Sequence, residues 1–162
     1  KHTYKDSLKE LIPYAVIIMV VVLIRTFLVT PIKVNGTSME GTLHDGDTMI
    51  LNKIKYKVSD IKRFNIVVIK TSDSYLIKRV IGLPGEKVEI IEGRVFINDN
   101  ELIEPYVYYP DEQSMEAVEI GENEFFVLGD NRSNSYDARF WTNKTINKKN
   151  IIGFARLFKG KK

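Results

Sequence analysis

Tyr75-Leu-Ile-Lys-Arg-Val-Ile81 is the stretch on which the fold turns. Side chains alternate faces along an extended chain, so Leu76, Lys78 and Val80 share one side and Ile77, Arg79 and Ile81 the other. Both sides are mainly apolar, as in a strand buried on two faces. Comparable runs rich in Val, Ile, Phe and Tyr lie at Asp47–Lys53, Phe64–Lys70, Lys87–Ile91, Arg94–Asn98, Phe125–Leu128 and Ile151–Phe158. Gly, Pro, Asn or Asp punctuates most of the intervals, and Glu92-Gly93 between two of the runs is a hairpin signal. Short strands at this spacing predict a mainly β protein, with an all-β barrel or sandwich-like domain over residues 31–162. Tyr106–Met115 and Asn131–Asn150 read as surface loops.

Upstream of the strands the pattern changes. Leu11 to Ile24 carries no charge. A helix over residues 11–30 would be about 30 Å long at ~1.5 Å per residue, the thickness of a bilayer's hydrocarbon core. Arg25 can carry its charge to the interface on its long stem, and Pro13 falls in the first turn, where its missing amide costs little. A cleaved signal peptide would end in a small-x-small site, which Arg25-Thr-Phe-Leu-Val-Thr-Pro31 does not supply. A buried core helix would show an amphipathic period, which is missing from Val16–Ile24. The segment therefore predicts a single-pass anchor in a cell membrane. Lys1, Lys5 and Lys9 place residues 1–10 in the cytoplasm and the domain outside, although Asp6 and Glu10 temper the balance.

Composition removes several classes of function. The 162 residues suffice for one domain beside the anchor. The net charge of +3 is small and dispersed, which argues against nucleic acid. The absence of cysteine excludes thiol nucleophiles, disulfides and cysteine-ligated zinc together.

A nucleophile must then come from elsewhere. Ser38 lies in Val34-Asn-Gly-Thr-Ser-Met-Glu-Gly-Thr-Leu43, where Gly36 and Gly41 allow tight turns and let amides converge on an oxyanion. Read locally, a serine among Gly and Thr in a loop is usually a turn residue. Lys78 is the candidate base, because a strand buried on both faces would strip water from its ammonium and lower its pKa. A shift to roughly 8 would leave about a tenth of it neutral at pH 7, at a cost on the order of 3 kcal/mol. His44, six residues after Ser38 and beside Asp45 and Asp47, is the rival base. A third feature, Gly129-Asp-Asn-Arg-Ser-Asn-Ser-Tyr-Asp-Ala-Arg139, sets hydroxyls and amides between two arginines and two aspartates. Asp130 or Asp137 with Arg132 or Arg139 would brace it, and Ser135 would orient a buried amine. A calcium loop fits less well, since no glutamate closes it.

Taken together, Gly36-Thr-Ser-Met-Glu-Gly-Thr-Leu43, Lys78-Arg-Val-Ile-Gly-Leu-Pro-Gly-Glu86 and the 129–139 loop resemble the type I signal peptidases of Gram-positive bacteria. These are membrane-anchored serine–lysine endopeptidases, and the strand Arg63-Phe-Asn-Ile-Val-Val68 also fits. The resemblance implies Ser38 as nucleophile, its backbone amide as an oxyanion-hole donor, and Lys78 as general base. It implies that Ser135 holds the lysine amine, that Asp137 and Arg139 brace the loop, and that Asp130 supports them. It further implies secretory precursors with Ala-x-Ala-type cleavage sites as substrates, a lipid bilayer as surroundings, and no metal or organic cofactor. Gly36 stands where some relatives place a serine as second oxyanion donor, and Gly41 where proline is usual. A noncatalytic relative assisting surface-protein assembly is the alternative. A self-cleaving repressor would carry a DNA-binding domain in place of the apolar segment.

Overall fold

The computed structural model describes residues 4–27, 29–52, 60–107 and 109–157, with side chains over 10–24 of the N-terminal helix. That helix, α1, spans Tyr4–Phe27, so it begins and ends earlier than the expected 11–30 segment. Its end follows from the sequence. Pro31 disfavours helical backbone at Thr30, and Val29–Lys33 instead forms β1, paired antiparallel with β2, Thr48–Asn52. The side chains from Glu10 to Ile24 are all exposed. Among the described residues no helix is long and apolar enough to cross a membrane.

Nine further strands follow: β3 Ile66–Lys70, β4 Tyr75–Gly82, β5 Lys87–Ile91, β6 Arg94–Ile97, β7 Asn100–Glu101, β8 Met115–Glu119, β9 Glu124–Leu128, β10 Ile146–Asn147 and β11 Ile151–Leu157. Seven form one antiparallel sheet in the order β1-β2-β11-β3-β4-β9-β10, and four form a second in the order β7-β6-β5-β8. The expected mainly β, barrel or sandwich-like domain is thus met by a curled open sheet with β1 and β10 at its edges, flanked by a smaller one. The larger sheet curls, because Ile32 of β1, Leu51 of β2, Ile152 of β11, Val68 of β3 and Ile77 of β4 line a single groove.

The central strands are buried on both faces, as their pattern requires. Val80, Phe125 and Val127 pack with Val67, Ile69 and Phe154 on one side. Ile81, Phe126 and Leu128 pack on the other with Val88, Val95 and Ile97 of the small sheet. A third cluster of Val34, Met39, Leu43, Met49, Leu51 and Val68 lies under the loop that carries Ser38. The 92–93 hairpin forms with both residues at positive φ, 47° and 76°, the geometry of a type I′ turn. β3 starts at Ile66 and not at Phe64, whose φ of 68° takes it out of the extended region. Lys53 and Phe158, at the ends of two expected strands, lie outside the described residues.

The bend where β4 leaves the larger sheet requires Gly82. A β-carbon there would lie 2.3 Å from Ile120 Cδ1 and 2.6 Å from Val88 Cγ2. Gly82→Ala should therefore lower stability by about 1–3 kcal/mol, seen as a reduced urea midpoint with an unchanged far-ultraviolet circular dichroism spectrum.

Candidate active site

Lys78 sits in the middle of β4, opposite Val67 of β3, with 2% of its surface exposed. Its Nζ donates to Ser135 Oγ at 3.0 Å. Burial lowers its pKa from 10.5 to about 8; Asp137 pulls it upward, Arg139 pushes it down and Asp130 pulls it upward again. Desolvation prevails because neither aspartate bonds the amine directly. Each is already engaged by an arginine.

Those arginines shape the loop between β9 and β10. Arg79, on the face of β4 opposite Lys78, donates to both oxygens of buried Asp130 at 2.8 and 2.5 Å. Arg139 donates to Asp137 at 2.8 and 2.9 Å, and also to Asp111. Its guanidinium holds the carbonyls of Arg132 and Ser135 at 2.9 and 3.3 Å. Arg132 reaches instead to Glu104, with two bonds of 2.9 and 2.6 Å. The expected braces are therefore partly re-paired: Asp137 takes Arg139, whereas Asp130 takes a strand arginine and Arg132 a distant glutamate. Alternation along β4 placed Arg79 opposite Lys78, but nothing in the local sequence linked it to Asp130, 51 positions away.

Ser38 opens a tight turn in which Glu40 N–H donates to Thr37 and Leu43 N–H to Met39, at 3.0 and 2.8 Å. The turn is held against the 129–139 loop. Asn131 N–H donates to the Ser38 carbonyl at 3.1 Å, and Thr42 Oγ1 to Asp130 at 2.5 Å. Gly129 makes this approach possible, since a β-carbon on it would lie 2.2 Å from Ser135 Oγ and 2.4 Å from the Ser38 carbonyl oxygen. The Ser38 turn, the Ser135 hydroxyl and, through that hydroxyl, the Lys78 amine thus meet around one glycine. The Ser38 hydroxyl is half-buried and makes no hydrogen bond among the described residues. Ser38, Met39 and Gly36 line one end of an apolar groove of about 660 Å³.

Other expected residues fall away from this centre. His44 is exposed and paired with Glu40, whose hydrogen bond and charge raise its pKa. Gly36 has φ +96° and donates its N–H to Asp45 at 2.7 Å, and Gly41 has φ +94°, which proline cannot adopt. Trp141 packs against two core clusters, and Tyr106 lies under the Arg79 guanidinium at 4.0 Å, so both belong to the interior.

Residues 8–158 match the family model for signal peptidase, peptidase S26. The chain belongs to the signal peptidase family. It is 38% identical to signal peptidase I of Bacillus licheniformis, over 94% of this chain and 89% of that protein. It is also 38% identical to a probable signal peptidase I-2 of Synechocystis over 73% of this chain, though it spans only 58% of that relative's length. A crystal structure of a signal peptidase I from Enterococcus faecalis superposes with a TM-score of 0.52 at 27% identity, covering 60% of this chain and 97% of that one. Family membership makes the chain a peptidase, and the curled sheet is the family's fold.

The buried amine carries a thermodynamic signature independent of any activity. Below pH 8 the folded and unfolded chains are both protonated at Lys78, and the folded form bears the full desolvation penalty, about 3 kcal/mol for this shift. Between pH 8 and 10.5 only the folded form has lost the proton, so the penalty shrinks as pH rises. Lys78→Met should accordingly be more stable than wild type at pH 6 by most of that amount. The gap in urea midpoint should close as pH approaches 10; a pH-independent gap would count against the dry amine.

Proposed function

We propose that Ser38, with Lys78 as its general base, carries the signal-peptide cleavage of this family. The observation that supports the reading most is a lysine that is 2% exposed, free of direct carboxylate bonds and lowered to about 8, held by a hydroxyl beside the Ser38 turn. Neutral Lys78 takes the Ser38 proton as Oγ adds to the scissile carbonyl, and it then returns that proton to the leaving amine. Water activated by the same amine hydrolyses the acyl-enzyme. The hydrogen bond between Ser38 and Lys78 forms when substrate closes the site, as catalytic contacts in resting enzymes commonly do.

The remaining residues serve that exchange. Ser135 fixes one direction of the amine, leaving the others for Ser38. Asp130, Asp137 and Arg139 keep the loop that carries Ser135 in shape. The Ser38 N–H offers one oxyanion-hole donor. In the apolar groove, an extended precursor presents alternate side chains, so small residues one and three positions before the cut suit Ala-x-Ala-type sites. No metal or organic cofactor takes part.

The exposed apolar side chains from Leu11 to Ile24 have no partner in the domain and suit lipid. In this reading residues 11–30 anchor the enzyme in the cell membrane, with 1–10 cytoplasmic and 31–162 outside. Tethering raises the effective concentration of precursors emerging at the same surface.

Purified full-length protein should cut an Ala-x-Ala precursor, and Ser38→Ala and Lys78→Ala should each lose roughly 10³-fold or more in kcat while remaining folded. Wild-type kcat/KM should rise with pH through a midpoint of about 8, as the protonated amine gives way to the active neutral form. Substantial turnover by Lys78→Ala, or loss confined to His44→Ala, would reassign the base. The full chain should also resist alkaline carbonate extraction from membranes, and deletion of residues 4–27 should release it.

A further inference from the structure

The groups around Ser38 hold its backbone more firmly than its side chain. Buried Asn131 donates twice into the turn: its N–H to the Ser38 carbonyl at 3.1 Å, and its Nδ2 to the Thr37 carbonyl at 3.1 Å. Ser133 Oγ donates to Asn131 Oδ1 at 3.0 Å, which sets the end of the carboxamide that faces Thr37. Asn134 Nδ2 adds a bond of 2.9 Å to Thr37 Oγ1. The backbone of Asn131 is itself anchored by a bridge to Tyr109. The Thr37 carbonyl and the Ser38 N–H belong to one planar trans peptide and point in opposite directions. The same carbonyl accepts Glu40 N–H at 3.0 Å from within the turn, so Asn131 and Glu40 together fix it and, through the peptide plane, the N–H. Among the described residues that N–H donates to nothing, and it faces away from Asn131.

We propose that Asn131 is a positioning residue that aims the Ser38 N–H at the oxyanion of the tetrahedral intermediate, acting through the Thr37–Ser38 peptide. The inference rests on Ser38 being the nucleophile. Glycine at position 36 has no hydroxyl to share the task, and its N–H is taken by Asp45. The aim of a single backbone donor therefore matters more in this chain. Complete removal of an oxyanion donor slows turnover by roughly 10²–10³-fold, so a donor left present but held only through the Glu40 bond should show about 10–100-fold.

The test compares full-length Asn131→Ala and Asn131→Asp with wild type on an Ala-x-Ala precursor. Aspartate keeps the shape of the side chain but has no N–H for the Thr37 carbonyl. In both variants kcat should fall about 10–100-fold, with KM within about twofold and melting temperature within a few degrees of wild type. In Asn131→Ala the pH midpoint of kcat/KM should stay near the wild-type value, because Lys78 is untouched. Ser133→Ala, which frees the carboxamide to flip, should show a smaller loss of the same kind. Wild-type kcat in Asn131→Asp would overturn the proposal. So would a loss in Asn131→Ala that comes with a shifted pH midpoint or a collapsed melting temperature. Ser38→Ala separates the two layers: if it still cleaves, the nucleophile is wrong, whereas an inert Ser38→Ala beside an unimpaired Asn131→Asp removes only the positioning role.

Discussion

An ammonium group gives up several kcal/mol of hydration when it is enclosed, and proteins normally answer with a carboxylate at bonding distance. Lys78 receives a hydroxyl instead. Two aspartates lie near enough to affect its titration, yet Asp130 is claimed by Arg79 and Asp137 by Arg139. Their negative charge still pulls the amine's pKa upward, but the desolvation of the buried amine outweighs it. Burial sets the direction of the lysine's shift and Arg139 adds to it, whereas a carboxylate freed of its partner would favour the ammonium form. Much of the 129–139 loop can be understood as a means of keeping two acids occupied.

That requirement shapes the surrounding architecture. Only a strand covered on both sides can dry out a long side chain in mid-sheet, and β4 is covered by a core cluster on each face. The curl of the larger sheet then brings its edge strand β1 and the turn after it round to the loop beyond β9. Gly129 lets three segments crowd together where any side chain would hold them apart. The groove beside Ser38 is apolar, open at the sheet edge, and continuous with the side of the domain from which α1 enters β1.

Local pattern carried much of this and failed where contacts are distant. The two-faced apolar run at 75–81 disclosed β4 and the dryness of Lys78, because burial on both sides is written in consecutive residues. The 87–97 hairpin was legible from Glu92-Gly93 for the same reason. β8 was not: Met115–Glu119 is a largely exposed strand with few apolar residues to mark it. β1 was read as the tail of a helix, since Val29 and Thr30 are as apolar as what precedes them, and only pairing with β2 distinguishes them. Ser135 was legible as a partner for the lysine through family likeness. Arg79, Glu104 and Asp111 were not, because each acts through a partner 51, 28 or 28 positions away. Ion pairs of that kind leave no periodicity.

The ties that assemble this centre join remote parts of the chain: 57 positions separate Lys78 from Ser135, 88 separate Thr42 from Asp130, and 94 separate Thr37 from Asn131. Contacts of such span form late, after the entropy of closing long loops has been overcome by the rest of the sheet. A partly folded chain would hold Ser38 and Lys78 in unrelated places, with the lysine still hydrated and charged. Proteolytic competence would arrive only with the finished fold, a built-in latency that spares neighbouring polypeptides while the enzyme matures.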